Sequence, residues 1–445
     1  MNWRMKKLYV ILLAVALPLS LLSFQAAAVE VERVVSPQGI EAWLVQDHSN
    51  PVVSVRLAFR GGAEMDPADK AGLANLAAST MDEGAGEFDS QTFQQILADQ
   101  SITLRFSASN DRFGGEVTTL TENLDQSMDL LRLALTQPRF DDEPVARLKS
   151  QLIAGIQSDS QRPGKLAYNA FFKAMFPDHG YGRDSDGTVE SVTGLTQADL
   201  KAFVHTRLAR GNLVVGVVGD VTPERLGALL DKTFGTLPAQ PTTPRAADVV
   251  PNATGRVQVI ELDVPQSTIV FGQAGLKRDD PDFYTVLVMN HILGGGSFTS
   301  RLYEEIREKR GLAYSVGSDL YPLDHAGLIL GSVGTENARV AETLDVLRSE
   351  WTRMATGDVS AQELNNAKTY ITGSFPLTFT STGAIARVLV SMQINGLGID
   401  YLDHRKAYIG AVDLAGVKRV AAEYLHVDKL DIVVVGKPAG IVPSP

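Results

Sequence analysis

The sequence predicts an α+β protein of two homologous domains, each a mainly antiparallel sheet packed with helices. Three observations predict it. A helix–strand–glycine unit occurs twice at one spacing, a proline-rich stretch lies between the two copies, and a strand pattern opens each half.

The repeated unit is the strongest of the three. Residues 193–220 read TGLTQADLKAFVHTRLARGNLVVGVVGD and residues 410–437 read GAVDLAGVKRVAAEYLHVDKLDIVVVGK, aligned without a gap at an offset of 217. Thr196 falls on Asp413, and both residue types cap helices well because a side-chain oxygen can accept a free N–H of the first turn. Leu200, Phe203 and Leu208 fall on Val417, Val420 and Leu425, an apolar stripe at helical spacing. Val215, Val217 and Val218 fall on Ile432, Val434 and Val435 in a strand that ends at Gly219 or Gly436.

The boundary is set by Pro238, Pro241, Pro244 and Pro251, which neither a helix nor a central strand can accommodate. It gives a linker at 238–255 between domains at 29–237 and 256–445. The first domain opens on a strand from Val52 to Phe59 that runs into Arg60-Gly61-Gly62. The second opens on Thr268-Ile269-Val270-Phe271-Gly272. Helices are predicted over 70–82 and 281–293 directly after these strands, and over 123–136, 143–158 and 339–355.

Composition narrows the function. The chain has 445 residues, 44% of them apolar and 21% charged, a globular balance. A net charge of −11 without a basic tract excludes nucleic acid as a partner, because that affinity rests on neutralising phosphates. The same charge would steer basic peptides toward the surface. Cysteine is absent, which removes disulfides, thiol nucleophiles and every Cys-based zinc site. Residues 1–28 combine Arg4, Lys6 and Lys7, an apolar run from Leu8 to Phe24 and the exit Gln25-Ala26-Ala27-Ala28, the pattern of a secretory signal peptide. The run is 17 residues, at the lower edge for a membrane span, and its small-residue exit favours cleavage. No later segment is apolar enough to span, so a soluble exported protein is expected.

Candidate chemistry is sparse. His48, His179, His205, His291, His325, His404 and His426 include no pair at i, i+4 that could share a metal on one helix face. His48 and His325 read as turn residues beside Asp47 and Asp324. No Gly-x-Ser-x-Gly elbow and no phosphate-binding Gly-x-x-x-x-Gly-Lys loop is present. Gly294-Gly295-Gly296 reads as a flexible stretch between helices. By spacing alone, Arg307 is a solvated helix end and Tyr314 a half-buried strand aromatic.

The segment from Leu293 through Gly294-Gly295-Gly296-Ser297-Phe298-Thr299-Ser300-Arg301-Leu302-Tyr303-Glu304-Glu305-Ile306-Arg307 to Gly311-Leu312-Ala313-Tyr314-Ser315-Val316 resembles the second-domain signature of the pitrilysin/insulinase-like zinc peptidases, which include the mitochondrial processing peptidases. Arg60-Gly61-Gly62-Ala63-Glu64-Met65-Asp66 is similar to the family's opening loop, Phe176-Pro177-Asp178-His179-Gly180-Tyr181-Gly182 to its mid-domain turn, and Gly373-Ser374-Phe375-Pro376-Leu377 to a late motif. The resemblance covers nearly all of the chain after residue 28.

The resemblance implies a zinc site that this chain does not carry. Active members have His-x-x-Glu-His on the helix after the opening loop and a further Glu about 76 residues on. Here Asn75 and Ser79 stand at the His positions, Ala78 at the general base and Gly155 at the third ligand. No metal and no cofactor is therefore expected in this chain. What remains is Arg307 and Tyr314, an Arg-x6-Tyr pair that in active relatives binds substrate and steadies the oxyanion at the zinc site of the other half. Some members are heterodimers with the zinc helix on one chain and the Arg/Tyr pair on the other, and this chain resembles the second kind. The implied function is a periplasmic non-catalytic subunit that completes a chamber for unfolded peptides. Its partner would be a homologous subunit that holds the zinc. A scaffold or peptide-binding protein of the same fold with no role in turnover is the alternative.

Overall fold

The computed structural model describes residues 30–444, and the signal segment expected at 1–28 lies outside them. The first half contributes β1 (Glu32–Val35), β2 (Glu41–Gln46), β3 (Val52–Arg60), β4 (Thr103–Ala108), β5 (Arg112–Leu120) and β6 (Leu213–Gly219), in the sheet order β1-β2-β6-β3-β5-β4. The second contributes β7 (Val257–Glu261), β8 (Gln266–Ala274), β9 (Ala313–Pro322), β10 (Gly327–Glu336) and β11 (Asp431–Gly436), in the order β7-β11-β8-β10-β9. Leaving out β1, the two orders superpose strand for strand. Each sheet has one parallel pairing, β2 with β6 and β7 with β11, and every other neighbour runs antiparallel. Alternation decides which face is inside: Val53, Val55, Leu57 and Phe59 of β3 turn into the first-half core, while Ser54, Arg56, Ala58 and Arg60 turn the other way.

The repeat read in the sequence is structural. Helices Gln197–Arg207 and Leu414–Tyr424 begin and end 217 residues apart. The Thr196 side chain accepts the N–H of Asp199, and the Asp413 side chain accepts the N–H of Gly416. The strands that follow end on glycines with φ +138° at Gly219 and +151° at Gly436. A Cβ at Gly219 would come within 2.1 Å of the Val52 carbonyl oxygen, so conformation and contact both demand glycine there. The predicted helices are also present, as Leu73–Thr80, Leu124–Thr136, Asp142–Asp159, Phe283–Asn290 and Val340–Ala355.

Each half has its own core between the sheet and a helical layer. The opposite face of each sheet is covered by a helix of the other half. Helix Pro163–Met175 leaves the first half and packs on β8 and β11, where Phe171, Phe172 and Met175 meet Val270, Leu328, Val433 and Val435. Helix Thr382–Ile394 makes the reciprocal crossing onto β3 and β6, where Ala386, Leu389 and Met392 meet Trp43, Val45 and Val218. The proline-rich stretch crosses between halves without helix or strand, tied by the N–H of Val249 to His325 O and of Asn252 to Met175 O. It separates the sheets, while the exchanged helices lock the layers together.

Candidate functional site

The opening loop is a rigid platform. Arg207, at the end of helix Gln197–Arg207, donates to the carbonyls of Gly62 and Met65 and to Asp66 Oδ1 at 2.9 Å, with both charged side chains almost fully buried. Asp66 Oδ2 in turn accepts the N–H of Ala74 in the first turn of helix Leu73–Thr80, so the loop fixes where that helix starts.

On that helix Asn75 Nδ2 donates to Ser185 O at 2.9 Å and to Asp186 Oδ1 at 2.7 Å. Asp186 Oδ2 takes Lys165 Nζ at 2.7 Å, and Lys165 also pairs with Asp184 at 2.8 Å. Ser79 Oγ folds back onto Leu76 O, Ala78 is buried in the core, and Gly155 lies exposed on helix Asp142–Asp159 beside it. The helix pair is thus in place, but its side chains are an amide, a methyl, a hydroxyl and a hydrogen. Among the described residues no three His, Asp or Glu come together to hold a metal ion. Asn75 is tied into a structural network. Replacing it with Ala leaves part of that network unpartnered and is expected to lower unfolding free energy by about 1–3 kcal/mol, whereas Ser79→Ala stays within about 0.5 kcal/mol, both read by chemical denaturation.

The second-half motif presents the opposite picture. Arg307 lies in the π-helical turn Tyr303–Glu308, and the chain reverses at Gly311 (φ +56°) into β9, bringing Tyr314 alongside. The Arg307 guanidinium carbon sits 5.0 Å from the Tyr314 ring centre, 4.7 Å from Tyr303 and 5.6 Å from Phe298. Its nearest carboxylate is Glu308, at 3.7 Å, and among the described residues it donates no hydrogen bond. Tyr314 is 84% exposed and Phe298 70%, so the expected half-buried aromatic is in fact outward-facing. The pair is held by aromatic packing, with the Tyr314 side chain turned outward.

A family model described as "Insulinase (Peptidase family M16)" matches residues 42–188, and one described as "Peptidase M16 inactive domain" matches residues 194–371. The chain belongs to the M16 peptidase family. Among its M16 relatives, an uncharacterized zinc protease of Streptomyces coelicolor is 29% identical over 72% of this chain and 74% of its own length. A protein of Helicobacter pylori described as a non-peptidase homolog is 27% identical over 75% of this chain and 77% of its own. A crystal structure described as a peptidase M16 inactive domain, from Pseudomonas fluorescens, matches 94% of this chain and all of its own with a TM-score of 0.85 at 28% identity. A Helicobacter pylori protease structure shares the fold, with a TM-score of 0.82 at 18% identity. The inactive-domain and non-peptidase-homolog descriptions among these matches support a non-catalytic M16 member.

Two expectations need correction. Gly294 is not part of a flexible stretch: the π-helical turn His291–Gly295 packs so closely on β9 that a Cβ at Gly294 would meet Ser318 Oγ at 2.3 Å. His325 does lie in the bend after β9, but it is only 6% exposed, with Nδ1 3.2 Å from Asp248. Its N–H donates to Tyr181 Oη, and Tyr181 in turn donates to Asp111 Oδ1. This cluster joins the halves of the M16 chain and includes Glu64, whose Oε2 accepts the Gly62 N–H at 2.8 Å. Burial, then the neighbouring charge of Asp111, push the Glu64 carboxyl up to about 8. Glu64 was visible inside the opening-loop motif, but nothing in the sequence placed Asp111 beside it.

The sign of the effect follows. In the unfolded chain Glu64 ionises near 4.5 and in the folded chain near 8. Its contribution is therefore fully present below pH 4.5 and is lost as pH rises toward 8. Glu64→Gln keeps an acceptor for Gly62 and removes the ionisation. The variant is expected to match the native chain in unfolding free energy at acid pH and to exceed it at pH 8 by on the order of a few kcal/mol, with a correspondingly higher Tm there. Thermal melts across that range check this.

Proposed function

We propose that this chain is the non-catalytic subunit of a zinc-dependent peptidase of the periplasm, paired with a homologue that carries the zinc helix. The outward Arg307–Tyr314 pair carries this reading. A guanidinium packed among three aromatic rings and short of acceptors is pre-set to receive developing negative charge, and a phenol beside it adds a second donor. Among the described residues of its own chain no cluster of His, Asp and Glu offers the pair a metal site to serve. In the assembled chamber, Arg307 and Tyr314 hold an unfolded peptide and steady the oxyanion of the scissile carbonyl, while the partner holds the zinc and supplies the base. The Helicobacter pylori relative described as a non-peptidase homolog supports an M16 role without hydrolysis by the chain alone.

Reconstitution tests the reading. The chain is purified alone and mixed with a zinc-bearing homologue, and cleavage of a quenched unfolded peptide is followed. Hydrolysis is expected only in the mixture and is stopped by a chelator. Chelator-sensitive hydrolysis by the lone chain would overturn the assignment, and inactivity of the mixture would favour the scaffold role.

A further inference from the structure

The outer face of the first-half sheet is covered unevenly. Helix Thr382–Ile394 packs on β6 and β3, and beyond it the sheet continues through β5 to β4, its last strand. Arg56 of β3, Arg112 and Glu116 of β5, Arg105 of β4 and Arg387 of the helix line a cavity of about 390 Å³ there. Glu116 stands opposite Arg56 on one side and opposite Arg105 on the other.

Four guanidiniums thus line the cavity beside a single lining carboxylate, Glu116. Glu116 is ion-paired with Arg56, both side chains being 23% exposed. Arg105 and Arg387 form no ion pair and no side-chain hydrogen bond among the described residues. Arg112 has Asp324 at 3.9 Å and a buried Nε without an acceptor. Burial, and then the like charge of Arg387, hold the Arg56 guanidinium below its ordinary range. This concentration of cations occurs on a chain whose net charge is −11. A groove lined by one sign of charge focuses its field on the opposite sign, whatever the charge of the whole molecule.

Planar guanidinium forks match carboxylates. The groove runs beside β4, which has a strand neighbour on one side only, so a main chain lying there can also find backbone partners. We propose that this arginine groove binds acidic segments of unfolded peptide, with Asp or Glu carboxylates on Arg105, Arg112 and Arg387. The surface expected from net charge to attract basic peptides thus holds a site of the opposite preference. The proposal goes beyond the subunit role and concerns binding by this chain alone, so it stands or falls whether or not a partner turns peptide over.

Fluorescence anisotropy on the purified chain, with a short labelled Glu-rich peptide and its Gln counterpart, tests it. The Glu peptide is expected to bind at least about tenfold more tightly, and raising salt to about 0.5 M should erase the difference. Arg105→Gln and Arg387→Gln, both exposed and unpaired, should each weaken the Glu peptide about threefold or more, and together abolish the preference. Glu116→Gln frees Arg56 and should tighten binding, a gain that a merely damaged fold would not produce. Equal affinity for the two peptides, or a preference surviving in the double variant, would overturn the proposal. So would a single-stranded oligonucleotide that binds as tightly as the Glu peptide, since the groove would then read any polyanion.

Discussion

Arg307→Ala in the reconstituted pair is expected to lower kcat by about a hundredfold or more, the usual cost of removing one donor from an oxyanion site. Arg307 packs on three rings and is only partly exposed, so the substitution removes a charge the fold has positioned and leaves the surrounding strand and turn in place. Assembly with the partner, read by size-exclusion chromatography, should be unchanged. Tyr314→Phe separates the two roles, because the ring that supports Arg307 stays and only the hydroxyl goes. Its loss should fall on kcat, by about tenfold, with KM little altered. Unchanged turnover in both variants would remove these residues from the mechanism while leaving the pairing of chains intact.

Phe171→Ala is expected to lower stability by about 3–5 kcal/mol and to do so for the whole molecule at once. Phe171 is fully buried in a cluster that includes Val270, Leu328, Val433 and Val435 of the other half, where its ring tip abuts Gly272 of β8. A side chain from a self-contained first domain would destabilise that domain and leave the second melting as before. Here a single cooperative transition should shift downward in both calorimetry and denaturant titration. Two separate transitions, only one of them moved, would show that the halves fold independently. The same contacts predict that either half expressed alone leaves one sheet face bare and one helix stranded.

Much of this fold was legible because its signals are local. Thr196 and Asp413 announce helix starts through side-chain chemistry within one turn, and Gly219 and Gly436 mark strand ends through backbone geometry. By position along the chain alone, Asn75, Ser79 and Gly155 were expected where relatives carry zinc ligands, and Ala78 where they carry the base. The nearness of Arg307 and Tyr314 followed from a tight turn at Gly311. The rest depends on which segments meet across the molecule. Phe171 and Leu389 read as ordinary amphipathic-helix residues, and nothing local says that each belongs to the opposite sheet. His325 looked like a turn residue because its neighbours are polar, while its burial comes from Tyr181 and Asp248, far away in sequence. The arginine groove combines four residues separated by up to 331 positions, and net charge conceals it.

The two crossing helices have a consequence for how such a chain could arise and move. Had the halves once been separate copies, each would have needed a neighbour to cap its open sheet, so the single unit would have been an obligate domain-swapped dimer. Joining the copies through the segment at 238–255 converts that bimolecular assembly into an intramolecular one, held at high effective concentration whatever the protein level. It also removes the freedom to hinge between halves, because opening would have to extract both helices together. If the proposed pairing holds, a gate on that chamber would swing between subunits, with this chain as a single stiff jaw.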